Sequence, residues 1–426
     1  MRKNRFFASL CSALFVLASG TLLSALFTHV EGASGQPPRL FATGIHDLAH
    51  RFHIREVLRG KTRHRNAALS YRRAASKLIR DDEEALVARL EQGETPDLEA
   101  RRVWLGVNRK ALSEIRRGTQ CLGSVLLLDP FQGFDAQAPE VGLGPPLCAL
   151  AVASGLAVEQ EGRPLEALRT LLDAARFGQD LARGGGVVHR LFSARIEATA
   201  LVWFLRVMGR ADLDAAGLRA LGGEIRIFAE GAHPLAETLD MEAALLLGEL
   251  ARRREDRGRA TAPAGPSLAG DAAREAGRAV LAWTARAREA VSREERMTPS
   301  EATRFMMEEA SSFPRALPNA MPDVAELVEA ERTVETLRRA ARIAVALVTY
   351  RKAWSAYPER LDEINGRVLQ RLPADPFSGR PFAYRRTPDG EARFWSAGPD
   401  EDDDGGRPLA IGTFEEADGD WVFVLR

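Results

Sequence analysis

Apolar side chains recur at helical spacing through most of the chain, and the period changes only near the C-terminus. A first amphipathic stretch runs from Ile45 to about Leu90. Thr95-Pro96-Asp97 is a start signal that opens a helix over 98–117. Residues 129–146, rich in Pro and Gly, read as a long loop. Leu147–Gln160 and Pro164–Ala182 then form two helices joined by Glu161-Gly162-Arg163. Gly155, Ala167 and Ala174 stand where tetratricopeptide hairpins place small residues. No repeat period accompanies them, so the pair reads as a helical hairpin of general kind.

After Gly184-Gly185-Gly186 comes a strongly apolar helix over 187–208. Arg190, Arg195 and Glu197 interrupt it, which marks a buried core helix and not a membrane span. Helices near 212–230 and 234–256 precede a Gly/Ala/Pro-rich excursion over 257–270, and helical pattern resumes over 271–296 and 299–312. Pro314, Pro318 and Pro322 punctuate a boundary. A long helix from Asp323 to Ala356 carries apolar Leu327, Val334, Leu337, Ala341, Val345 and Val348. The period then shortens to two. Phe382–Tyr384 and Ala392–Trp395 are strands separated by the hairpin signal Thr387-Pro388-Asp389-Gly390, and Trp421–Leu425 is a last strand. The fold class expected is mainly α, a helical hairpin or bundle body, with a small C-terminal α+β module of short antiparallel strands.

The N-terminus adds a membrane helix to this picture. Arg2, Lys3 and Arg5 precede an uncharged run from Phe6 to Phe27, which at 1.5 Å per residue spans about 33 Å, enough for a hydrocarbon core. The cations before the run place the N-terminus in the cytoplasm and the bulk of the chain on the periplasmic side of an inner membrane. The alternative is a cleaved signal peptide, with Val30-Glu31-Gly32 at the cleavage site, and a secreted product. The expected organisation is 1–30 anchor or signal segment, 31–44 linker, 45–313 helical domain and 314–426 C-terminal module, with its helix over 323–356 and its sheet over 372–426.

Composition excludes several classes. The 426 residues carry 59 basic and 59 acidic side chains and are 45% hydrophobic, so neither wholesale disorder nor general nucleic-acid binding is expected. Between 51 and 80, ten Arg or Lys face one acid, Glu56; this is either a solvated helix face or a surface for anionic headgroups. Of three cysteines, Cys11 lies in the apolar run; Cys121 and Cys148 either pair or remain buried thiols.

The order of motifs over 340–421 is more specific than any one of them. A helix holding Tyr350 is followed by Ala356-Tyr357-Pro358 and Leu361. Next come Leu372-Pro373-Ala374-Asp375-Pro376-Phe377, Gly379, Pro381 and Tyr384, and last Trp395-Ser396-Ala397-Gly398-Pro399-Asp400. This order resembles the C-terminal globular part of the major pseudopilin of type II secretion. There a Tyr-Pro turn ends the spine helix, a Leu-Pro-x-Asp-Pro-aromatic segment opens the sheet, and Ser-x-Gly-Pro-Asp introduces a calcium loop. The N-terminal Phe6-Phe7-Ala8-Ser9-Leu10 has neither the Gly nor the Glu of the pseudopilin leader. As a whole, the architecture looks like that of exported bacterial proteins carrying this module at their C-terminus.

Elementary chemistry points to the same loop. Asp400, Asp402, Asp403 and Asp404 crowd four carboxylates into five positions, and Gly405 and Gly406 allow a tight turn. A hard divalent cation relieves such repulsion. Asp400-x-Asp402-x-Asp404-Gly405 matches the first half of an EF-hand loop, but Ile411 occupies the position of its bidentate acid. The resemblance implies a structural Ca2+ held by Asp400 and one or two of Asp402, Asp403 and Asp404, with main-chain carbonyls near Trp395 and Ser396. A solvated acidic turn is the alternative.

His46, His50, His53 and His64 fall within 19 positions, and the first three share a helix face that could present imidazoles to a transition metal or simply to solvent. No Gly-x-Ser-x-Gly elbow, Walker loop or dinucleotide fingerprint occurs. Glu197 and Asp240 read as satisfied core carboxylates. The expected function is therefore a non-enzymatic, membrane-anchored envelope scaffold with protein partners, no nucleic acid and no identified small-molecule substrate. The alternatives are an accessory component of a secretion or pilus system, or a helical metal-dependent enzyme using the His46–His64 region.

Overall fold

The computed structural model describes residues 66–426 apart from 81–82, 122, 256–269, 293–297, 316, 318–319 and 410–418. The anchor, the linker and the four-histidine region lie outside the described residues. Among those described, helix dominates and a three-stranded sheet closes the chain. No helix among them is long and apolar enough to cross a membrane.

The helices are α1 (Ala67–Lys77), α2 (Glu83–Glu91), α3 (Leu98–Val107), α4 (Arg109–Thr119), the one-turn α5 (Pro139–Gly142), α6 (Gly144–Gln160), α7 (Pro164–Leu181), α8 (Val187–Met208), α9 (Ala215–Glu230), α10 (Leu235–Glu255), α11 (Gly270–Val291), α12 (Pro299–Glu309) and α13 (Val324–Trp354). Several starts are capped as the sequence requires. Asp97 accepts from Glu99 N and Ala100 N at α3, and Asp214 caps α9. Thr298 and Glu301 form a capping box at α12, and Asp323 caps α13.

Two stretches expected to be helical are interrupted, and Asn108 has a place at both interruptions. Asn108 is fully buried, its Oδ1 accepting from Ile79 N (2.7 Å) and its Nδ2 donating to Ile79 O (3.1 Å). This amide pairing engages residue 79, which lies between α1 and α2 in the stretch 45–90 expected to be helical. Asn108 itself sits at the junction of α3 and α4, where the expected 98–117 helix is interrupted.

The expected loop over 129–146 is another correction. Asp129 caps a 3-10 helix over Pro130–Asp135 by accepting from Phe131 N, and Pro139 opens α5. In these turns each Pro sits at the helix start, where no donor is needed, so the prolines begin helices here.

The α6–α7 hairpin is borne out, with the small residue where close approach demands it. A Cβ on Gly155 would stand 2.9 Å from Leu171 Cγ. The apolar α8 is a core helix, as its interrupting charges indicate: Arg190 and Glu197 are 3% and 1% exposed and both are paired.

Two apolar cores are built among the described residues. The first gathers side chains from α1 to α9, the middle of α13 and the sheet, so Phe394 and Trp421 of the module share it with Leu201 and Phe204 of α8. The second is built by α10, α11, α12 and the first turns of α13, with Trp283 packed edge-on against Phe313. α13 thus belongs to both: Val324, Leu327 and Val328 to the second, Val334 to Leu347 to the first.

The helix ends at Ser355 in left-handed backbone (φ 64°), and a 3-10 turn over Leu361–Ile364 leads toward the sheet. Strands β1 (Ala383–Arg386), β2 (Ala392–Ser396) and β3 (Trp421–Leu425) are antiparallel in the order β1-β2-β3. The register pairs Tyr384 with Phe394 and Phe394 with Phe423, which puts an aromatic row on the buried face.

Candidate functional site

The acidic loop hangs from the end of β2 and returns to the start of β3. Asp403 Oδ1 accepts from the indole Nε1 of Trp395 (2.9 Å) and from Gly405 N (3.0 Å). Asp400 receives Gly419 N on Oδ2 (3.1 Å). Gly405 and Gly406 adopt φ of 69° and 85°, the left-handed backbone expected of them. Glu401, at φ 64°, takes the same conformation with a side chain and pairs with Arg332 of α13 (3.3 Å).

Asp420, which no sequence pattern singled out, completes the cluster. Its carboxylate is fully buried; Oδ2 accepts from Gly406 N (2.7 Å), while Oδ1 has no hydrogen-bond donor. Burial raises its pKa, and the charges of Asp403 and Asp404 raise it further. The available signal was its place between Gly419 and the last strand, on the far side of the loop from the Asp400–Asp404 run.

The hydroxyl of Ser396 is bonded to another acid. It donates to Asp375 Oδ1 (2.7 Å), and Asp375 also accepts from Phe377 N, Ser378 N, Ser378 Oγ and Ala397 N. Asp375, 1% exposed, therefore ties the Leu372–Phe377 segment to the strand end from which the acidic loop departs. The residues named from sequence thus divide. Asp403 and Trp395 meet, Asp400 reaches Gly419, Asp402 is exposed, and Ser396 serves the Asp375 knot.

The donor chemistry suits a hard cation: three carboxylates influence one another, and one buried oxygen has no donor. Among the described residues no three His, Cys, Asp or Glu side chains are arranged to hold an ion as they stand.

The helical body has its own polar centre. Arg338 of α13 bonds Glu197 of α8 at 2.6 and 2.7 Å and reaches Glu331 (3.2 Å), while Arg190 pairs with Glu331 and donates to His233 O. The acids outweigh the effect of burial and hold the Arg338 pKa above its usual value. Glu197 can sit there because α7 gives way: a Cβ on Gly178 would stand 2.6 Å from Glu197 N. Asp240 pairs with Arg288 (3.1 Å). Glu197 is the satisfied core carboxylate expected, while Asp240 is buried and paired through Oδ1 alone in that contact.

The described part of the basic run is likewise engaged. Arg72 pairs with Glu140, Arg73 and Lys77 with Glu114, and Arg80 with Glu83. Cys121 and Cys148 are free thiols, the first partly exposed and the second buried. Two open depressions of about 460 and 270 Å³ flank α7, and Arg169 and Asp173 line both. No family model matches the chain, and no curated protein or solved structure is found similar to it.

Proposed function

We propose that this chain is a membrane-anchored envelope scaffold whose C-terminal module is pseudopilin-like and is stabilised by calcium. The observation that carries the reading is the buried Asp420 oxygen without a donor, set against the crowded Asp403 and Asp404. Asp400, Asp403, Asp404 and Asp420 are the residues that would hold the ion. Bound calcium would neutralise their mutual repulsion and fix the loop to the sheet. Asp375 and Trp395 contribute by positioning, the first at the strand end and the second through its indole N–H.

The scaffold reading is supported by how the chain is assembled. Helix α13 serves both cores and leads directly into the module, so a load on the module is passed to the body. The membrane attachment through residues 6–27 and the periplasmic placement of the remainder belong to the same proposal.

Calorimetric melting of the full-length protein, shown by elemental analysis to contain calcium, tests the ion. EDTA is expected to lower the melting temperature of the native chain and to have little further effect on Asp420→Asn. An unchanged melting temperature in the native, calcium-loaded chain would overturn the calcium site. Protease accessibility in intact spheroplasts tests the placement: digestion of the body from outside is expected, and full protection would sink it.

A further inference from the structure

Helix α3 buries only two side chains, Arg101 and Trp104, and both are left with unanswered donors. Arg101 is 2% exposed, yet its Nε and Nη1 have no acceptor; Trp104 is 4% exposed, and its Nε1 has none. Positions three apart share a helix face, so Arg101 and Trp104 lie on the same side of α3.

The nearby acids are committed elsewhere. Asp97 spends its carboxylate on the helix start, accepting from Glu99 N and Ala100 N. Glu159 is held by Arg210 through two bonds of 2.7 and 2.8 Å. Burial accordingly depresses the Arg101 pKa more than Asp97 and Glu159 restore it. A buried guanidinium with no acceptor on two of its nitrogens is costly, and so is a buried indole N–H without one.

We propose that Arg101 and Trp104 form a binding site for a small oxyanion, a carboxylate or phosphoryl group, free or at the end of a larger ligand. The sign of the charge excludes a cation. The chemistry is all donor: a planar guanidinium suited to two oxygens and a neutral indole N–H suited to a third contact. The site lies against α2, α4 and α6, far in sequence from the acidic loop, and does not depend on the calcium reading.

Two-dimensional NMR of the full-length protein, labelled at the indole nitrogens of its six Trp, tests it. The cross-peak missing from Trp104→Phe is Trp104. Titration with inorganic phosphate, or with acetate, at ionic strength matched with sodium chloride should move that peak saturably. Phosphate alone acting assigns a phosphoryl group; acetate alone assigns a carboxylate; both acting leaves the oxyanion class intact.

Arg101→Gln should weaken binding about 100-fold or more, and Arg101→Lys, which keeps the charge and the fold but loses the fork, about tenfold. No movement of the peak with either anion in the native chain overturns the proposal. Movement of equal affinity in Arg101→Gln or Arg101→Lys also overturns it.

Discussion

The guanidinium of Arg338 on α13 grips the carboxylate of Glu197 on α8 through two hydrogen bonds, 2.6 Å from Nε and 2.7 Å from Nη2, across 141 positions of sequence. Each side chain is only 2% exposed. Removing the cation leaves Glu197, Glu331 and Glu335 facing one another without it. Arg338→Met is expected to cost about 3–5 kcal/mol in urea unfolding, and adding Glu197→Leu should recover about 1–2 kcal/mol, because a buried charge left alone is worse than an apolar pair. A double variant no more stable than Arg338→Met would refute that account.

Asn108 stands in for a strand neighbour of residue 79. Asn108→Ala strips the acceptor from Ile79 N and the donor from Ile79 O, and a loss of about 2–4 kcal/mol is expected. Asn108→Asp keeps the acceptor but sets a carboxylate against a carbonyl, so it should be no better than Ala. Chemical denaturation of the three chains measures the difference.

Asp375 accepts five hydrogen bonds, two of them from hydroxyls and three from backbone N–H groups. Asp375→Ala is expected to speed amide hydrogen exchange at Phe377, Ser378 and Ala397 by at least about tenfold, while α6 and α7 exchange as before. Uniform acceleration through the whole chain would show that the knot holds more than the module.

Titration adds two opposing contributions. Burial lowers the pKa of His189 and of His233 to about 4, while the unfolded chain binds their protons near pH 6.5. Their neutral forms therefore favour the fold fully above about pH 6.5, and this contribution is lost as pH falls through about 4. Asp180 runs the other way. Burial raises it to about 7, against the opposing hydrogen bond from Tyr71, so its contribution is present at about pH 4 and lost as pH climbs through 7. Melting temperature against pH should become steeper between about 4 and 7 in Asp180→Asn and flatter in His189→Asn.

Much of this architecture was legible from hydrophobic period and cap chemistry. The α6–α7 hairpin, the core helix α8, the long α13 and the three strands all follow from local pattern, because each is an apolar run bounded by capping side chains, prolines or glycines. What escaped was long-range. Asn108 ties the α3–α4 junction to a partner 29 positions away. Pro130 and Pro139 looked like loop residues until their place at the first turn was known. At the acidic loop, the clustered Asp400–Asp404 were visible, but Asp420 joins them only through the return of β3, and Ser396 is claimed by Asp375 from 21 positions upstream.

The sharing of α13 sets a schedule for the nascent polypeptide. Helices α1 to α9 leave the ribosome with an open apolar seam that Val334, Leu337, Ala341 and Val345 must later fill. Until those residues emerge, the early helices can associate but cannot shut out water, and their surfaces invite capture by chaperones or by one another. Yield and aggregation during synthesis should therefore respond to substitutions in the middle of α13 more sharply than to equal losses of buried volume in α2 or α12.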